Sequence, residues 1–118
     1  DLVSNGFITN EQTIQKEPDL VQGMVRAALR GLEYTLDHPD EAFETSLEFI
    51  PEMKSADIPL QKAVLSKSME VWRSDHLGES SQAAWQASVD FMKAVGLIQT
   101  SPAVEQLFTN RFVEGAKK

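Results

Sequence analysis

Pro18–Asp37, PDLVQGMVRAALRGLEYTLD, is the longest periodic run in the chain. Val21, Met24, Val25, Ala28, Leu29, Leu32 and Leu36 recur at helical spacing and form one apolar stripe. Arg26, Arg30, Glu33 and Asp37 form a charged face. Gly23, Ala27 and Gly31 recur every fourth residue and form a third face with almost no side-chain bulk. A glycine inside a helix costs about 1 kcal/mol against alanine, a loss best explained where a second backbone must come close. The run therefore predicts a helix packed on two faces: apolar on one, and in close approach through small residues on the other. On that expectation Gly31→Leu, which forces backbones apart, is more damaging than Leu29→Ala, which leaves a cavity.

Upstream, Val3, Phe7 and Ile8 favour extended structure, and Gly6 suggests a bulge. Residues 2–9 are thus predicted as a strand, the one strand in the chain. A lone strand cannot satisfy its backbone groups, so it must pair with something outside this sequence or with a second copy. Thr9-Asn10-Glu11-Gln12 reads as a capping box with Thr9 as the cap, opening a short helix over 10–16. Pro18 then fits the first turn of the long helix.

Downstream, His38-Pro39 ends the long helix. Pro39, Asp40 and Glu41 start a third helix over 39–50, antiparallel to the second, with Phe43, Leu47 and Ile50 on its apolar side. Glu52–Ala56 is expected to be a loop. Asp57 caps a helix over 57–73 with Leu60, Val64, Leu65, Met69 and Trp72 on one face. Ser80 or Ser81 caps a helix over 81–95, and Gly96 is placed for a left-handed C′ residue with Leu97 folding back. Pro102 opens a last turn over 102–108, and Gly115-Ala116-Lys117-Lys118 reads as a polar tail. The expected class is mainly α, five to six helices plus one N-terminal strand, with residues 1–118 as one unit.

The totals exclude several functions. A chain of 118 residues can bury one modest core. The formal charge of −7 argues against nucleic acid and against anionic membrane surfaces, since no basic stripe exists to replace counterions. No run approaches the roughly 20 apolar residues of a membrane span, and no targeting or lipidation motif is visible. With no cysteine there is no disulfide, thiolate metal site or thiol nucleophile.

Catalytic chemistry finds few footholds. His38 lies beside Asp37 and Asp40, and His76 beside Asp75, but neither has the second histidine of a helical zinc motif. No glycine-rich phosphate loop is present, and Ser66, Ser68, Ser80, Ser81 and Ser88 fall on helices or at caps. Trp72 and Trp85, set among Leu, Met and Val, are expected in the core. Neither a catalytic residue, a metal ligand nor a cofactor is implied.

Taken in order, several segments resemble a known family: Asn5-Gly6-Phe7-Ile8-Thr9, Pro18-Asp19-Leu20-Val21, Ala27 through Tyr34, Pro39-Asp40-Glu41-Ala42, Trp85 through Met92, Gly96-Leu97-Ile98 and Leu107 through Phe112. The set is similar to the C-terminal region of ABC-importer solute-binding proteins, in the branch related to thiamine-pyrimidine precursors. It covers residues 2–113 and departs from the pattern at Arg111. The resemblance implies a fragment of a two-lobe α/β periplasmic-binding-protein-like fold, with residues 2–9 entering the sheet of one lobe. It implies capture of a small heteroaromatic solute, a thiamine-type pyrimidine first with flavin, sulfonate, nitrate or taurine-like solutes as alternatives, outside the cytoplasmic membrane and delivery to an ABC permease, by a protein held in the periplasm or anchored outside the cell. Most ligand contacts would come from elsewhere in such a protein. The part present here offers only the Ser4-Asn5-Gly6 neighbourhood, where Asn5 could bond a polar heterocycle. A biosynthetic relative or a free-standing acidic helical interaction module are the alternatives. Self-association through the unpaired strand is expected of the chain alone.

Overall fold

A computed structural model of the chain describes residues 2–3, 5–55 and 57–116. It contains six α-helices: α1 Glu11–Lys16, α2 Pro18–Asp37, α3 Pro39–Phe49, α4 Ile58–Trp72, α5 Gln82–Ala94 and α6 Arg111–Ala116. Two 3-10 turns, Pro51–Ser55 and Val104–Gln106, complete the list of elements. The chain is mainly α, and it forms two compact units, Asp1–Arg26 with Gly78–Lys118, and Ala27–Leu77. The boundary falls inside α2.

The helix starts follow local chemistry. Asn10, extended at ψ 159°, accepts from the Thr13 amide at 2.8 Å, so the cap is Asn10 and not Thr9. A residue at the cap must leave the helical region while its side chain reaches three residues on. Asn10 satisfies both conditions, and its Oδ1 also accepts from the Thr13 hydroxyl at 3.0 Å. Asp57 accepts from Leu60 N–H at 3.1 Å, and Ser81 from Ala84 N–H at 3.0 Å. At the end of α5, Gly96 has φ 76°. The Leu97 amide donates to Met92 O at 2.9 Å and the Gly96 amide to Lys93 O at 3.1 Å. Those two bonds are the Schellman pair, and they need the left-handed residue that glycine supplies.

The expected N-terminal strand is not formed: no strand occurs among the described residues. The reason is the one that made it conspicuous. An extended segment gains ladder bonds only from a neighbour, and no second strand is present to pair with it. Residues 5–10 are exposed, and the segment is tied down at Val3, whose amide donates to Ser88 Oγ at 2.8 Å. Ser4 lies outside the described residues.

Two further corrections concern the end of the chain and the middle loop. The turn expected over 102–108 contracts to Val104–Gln106, and the supposed tail contributes Gly115 and Ala116 to α6. Lys117 and Lys118 lie outside the described residues. Pro51–Ser55 winds into a 3-10 turn rather than a loop, with Ala56 outside the described residues.

In the first unit the buried side chains are Val89, Val104, Phe112 and Val113. Asn110 ties the entry to α6 to the segment before α5: its Oδ1 accepts from Ser80 N–H and its Nδ2 donates to Ser80 O, both at 2.9 Å. Gln22 of α2 donates through Nε2 to the Phe112 carbonyl at 2.7 Å. In the second unit Phe43 and Met69 are buried. Lys62 lies 5.3 Å from the centre of the Phe43 ring and pairs with Asp40 at 2.9 Å and Glu44 at 3.7 Å. This joins α3 to α4. The inward side of α4 is carried by Leu65 and Met69; Leu60, Val64 and Trp72 are exposed. The face expected from the sequence is thus rotated, and Trp72 is not core.

None of the α2 side chains is fully buried. Val21, Val25, Ala28, Leu29, Leu32 and Leu36 are half-buried, and Met24 is exposed. The small-residue face is open: a Cβ built on Gly23 or Gly31 meets nothing within 4 Å. The close approach inferred from the spacing is therefore absent among the described residues, and with it the ground for expecting Gly31→Leu to be more damaging than Leu29→Ala. Gly115 is the glycine in a tight place, where a Cβ would overlap the carboxamide of Gln22. Gly31→Ala is expected to stabilise the chain by roughly 0.5–1 kcal/mol, through helix propensity in open space. Gly115→Ala is expected to destabilise it by about 1 kcal/mol, because Gln22 must swing away and lose its bond to Phe112. Urea melts of the two variants check both signs.

Candidate functional site

The site is built from residues that lie far apart in sequence but within one unit. Phe7, Ile8 and Thr9 run along one wall. Ile14 of α1 and Leu20, Val21, Met24 and Val25 of α2 follow the helical i, i+3, i+4 rule and form a second wall. Leu107, Phe108 and Phe112 form the third. The space between these walls is an open groove of about 740 Å³, within the roughly 300–1,000 Å³ of ordinary ligand clefts. Its polar groups are few: Glu11, Thr13, Gln106, Thr109 and Arg111 among them. The Arg111 guanidinium sits 5.2 Å from the centre of the Phe112 ring.

The wall at Phe108 is backed by Trp85, whose ring lies parallel to it at 2° with centroids 5.8 Å apart. Trp85 is half-buried, and its indole N–H is buried without an acceptor, a loss of about 1–3 kcal/mol where water does not reach it. The Phe112 wall is held by Gln22, and the approach to Arg111 by the Asn110–Ser80 pair. Those contacts fix the groove's shape without entering it.

The residue singled out from the sequence does not lie in this groove. Asn5 is exposed and is not part of its lining. Gly6 has open space around it. Phe7, two residues on, does line the groove. The residues missed were Met24, Phe108, Arg111 and Phe112. Met24 had been assigned to the apolar stripe as core, and Arg111 and Phe112 lay beyond the last expected helix. A readable signal was present: Asn110 followed by Phe112-Val113 and Glu114 resembles the start of an amphipathic turn.

The histidines and serines are placed in ordinary roles. His38 precedes α3 and its ring packs against Tyr34 at 4.8 Å, tilted by 40°. His76 is exposed, and its amide donates to Ser74 Oγ at 3.0 Å. Ser88 Oγ donates to Ala84 O at 2.8 Å while accepting from Val3. Among the described residues no group of three or more His, Cys, Asp or Glu side chains could hold a metal. No helix of the described residues is long and apolar enough to cross a membrane.

Two groups of the second unit titrate away from their ordinary values. The Tyr34 phenol is raised above 10.0, first because the Glu41 carboxylate accepts its hydrogen bond, then through desolvation and charge repulsion from Glu41. Lys62 is raised above 10.5, chiefly by its bond to Asp40. Both shifts favour the protonated form in the folded chain. Their contribution to stability is present below pH 10 and is lost as pH rises through the folded-state values. Tyr34 is the one tyrosine of the sequence, so its ultraviolet titration is unambiguous. The midpoint is expected above 10.0 in the native chain and lower in Glu41→Ala; equal midpoints in the two would show that Glu41 does not act on the phenol.

Comparison with known proteins bears on the whole chain. The NMT1/THI5-like family matches residues 1–42. The chain is 42% identical to the riboflavin-binding protein RibY of Chloroflexus aurantiacus over 98% of its own length and 34% of that protein's. It is 28% identical to a 4-amino-5-hydroxymethyl-2-methylpyrimidine phosphate synthase of Legionella pneumophila over 91% of its length and 32% of the synthase's. No solved structure matches. The chain is thus similar to NMT1/THI5-like sequences over its first third and to these two proteins over nearly all of its own length. It spans about a third of the length of these relatives.

Proposed function

We propose that this chain is the C-terminal part of an extracytoplasmic solute-binding protein that captures a flat heteroaromatic solute and passes it to an ABC permease. The observation that carries the reading is the 42% identity, sustained over 98% of the chain, to a protein named for binding riboflavin. The thiamine-pyrimidine reading has weaker support, from a relative at 28% identity whose name is that of a synthase. An isoalloxazine ring system therefore leads, with the pyrimidine second. The chain contributes framework in this reading rather than most of the ligand contacts. Asn5 remains its candidate polar contact, since an exposed carboxamide both donates and accepts. The protein is placed in the periplasm or held outside the cell by an anchor, and its role is non-catalytic.

The groove of the first unit is open, so a solute seated there would not be covered to the roughly 70–90% usual for a tight small-molecule site. Protein made from the full reading frame is expected to quench riboflavin fluorescence on binding, with the thiamine pyrimidine competing weakly. The 118-residue chain alone is expected to show no tight binding of either. Failure of the full-length protein to bind riboflavin, or tight binding by the chain alone, would overturn the reading. Expressed by itself the chain also carries enough exposed apolar surface to self-associate. Light scattering at micromolar concentration is expected to show more than one chain per particle, and a stable single-chain mass would count against it.

A further inference from the structure

We propose that Asn5 is a site of spontaneous covalent modification: with Gly6 it deamidates through a succinimide to aspartate and isoaspartate, without an enzyme. The inference goes beyond the proposed function and does not depend on it.

The chain has three asparagines, Asn5, Asn10 and Asn110, and only Asn5 is followed by glycine. The reaction closes a five-membered ring, so the backbone nitrogen of the next residue must reach the side-chain carbonyl carbon. The local fold decides whether it can. Asn10 caps α1: its Oδ1 is held by the Thr13 amide at 2.8 Å and the Thr13 hydroxyl at 3.0 Å, and Glu11 is already helical. Asn110 is held at both ends of its carboxamide by Ser80, and the Arg111 amide that would attack donates instead to Thr109 Oγ1 at 3.3 Å.

Asn5 differs on every count. It is exposed and lies outside the helices. Its carboxamide makes no hydrogen bond among the described residues, and the Gly6 amide has no backbone acceptor among them. A Cβ built on Gly6 would meet nothing within 4 Å, so the surroundings leave the peptide free to turn. Glycine also has no Cβ of its own to obstruct the approach. Nucleophile and electrophile are thus neighbours in one chain, and reaction between tethered groups gains from that proximity.

The step balances with water alone. Base removes the Gly6 N–H proton, and the nitrogen forms a bond to Asn5 Cγ. The carboxamide C–N bond breaks, and its nitrogen takes up a proton and leaves as ammonia. Water then opens the ring. Opening at Cγ gives aspartate; opening at the backbone carbonyl gives isoaspartate, in which the main chain runs through Cγ. Nothing is oxidised or reduced. The product adds a negative charge to a chain whose formal charge is −7, and a carboxylate only accepts where the carboxamide also donated. Isoaspartate lengthens the backbone by a methylene just before Phe7 and Ile8, which line the groove.

The 118-residue chain, its Gly6→Ala variant and a synthetic peptide of residues 2–9 are incubated near neutral pH and sampled over days. Proteolytic mass mapping follows the gain of one mass unit, and chromatography against synthetic standards separates isoaspartate from aspartate. Position 5 is expected to convert at the peptide's rate, at least about tenfold faster than Asn10 or Asn110, with both isomers formed. Gly6→Ala is expected to slow the conversion at least about tenfold. An intact Asn5 while the peptide converts would show that the folded chain shelters it and would overturn the proposal. Aspartate without isoaspartate, or an unslowed Gly6→Ala, would exclude the succinimide route and overturn it as well.

Discussion

The hydrogen bond from Gln22 to the Phe112 carbonyl, at 2.7 Å, closes a span of 90 residues. It brings α6 against the start of α2, and the absent side chain of Gly115 leaves room for the carboxamide that makes it. A side-chain amide bonded to a backbone carbonyl contributes only about 1 kcal/mol. Its importance here is geometric: it lies beside Phe112 and Val113, two of the four side chains buried among the described residues of the first unit. Asn110, two residues before Phe112, adds two bonds to the backbone of Ser80. The C-terminal residues thus act as a clasp on α2 and on the segment that leads into α5.

What the clasp leaves uncovered is as informative as what it buries. Hydrophobic burial at roughly 25 cal/mol per Å² is the main favourable contribution to folding, yet among the described residues six side chains are buried and the apolar stripe of α2 is nowhere fully covered. A helix that carries seven apolar residues in register is amphipathic in the expectation of a neighbour. The relatives, about three times as long, carry sequence that could supply one. The open face at Gly23 and Gly31 fits the same circumstance, since a stripe of small residues gains nothing in solvent and costs helix propensity.

The second unit shows a different economy. Lys62 lies over the Phe43 ring and bonds Asp40, covering an aromatic side chain with the stem of a charged one. That arrangement also explains why α4 is rotated from the face its leucines and valines suggested. Lys62 and Leu65 point inward with Met69, so Leu60 and Val64 are left exposed. Periodicity alone could not distinguish two overlapping apolar arcs on a helix whose pattern is diffuse.

The sequence by itself determined the helices, because their signals are local: Asp57 and Ser81 as caps, Gly96 as a left-handed stop, and Pro18 and Pro39 at first turns act within one turn of themselves. The similarity to NMT1/THI5-like sequences was legible for the same reason, as an ordered set of short segments. The strand was misjudged because extended structure depends on a partner that local preference cannot supply. Asn10 displaced Thr9 as cap by one residue, a choice made by backbone conformation rather than composition. Only the tertiary structure decided which faces are covered. The groove of Phe7, Met24, Phe108 and Phe112 draws on three separated stretches of sequence, and no spacing rule joins residues about a hundred positions apart. They meet because Gln22 ties α2 to Phe112, and that contact is set by packing, not by the order of the residues.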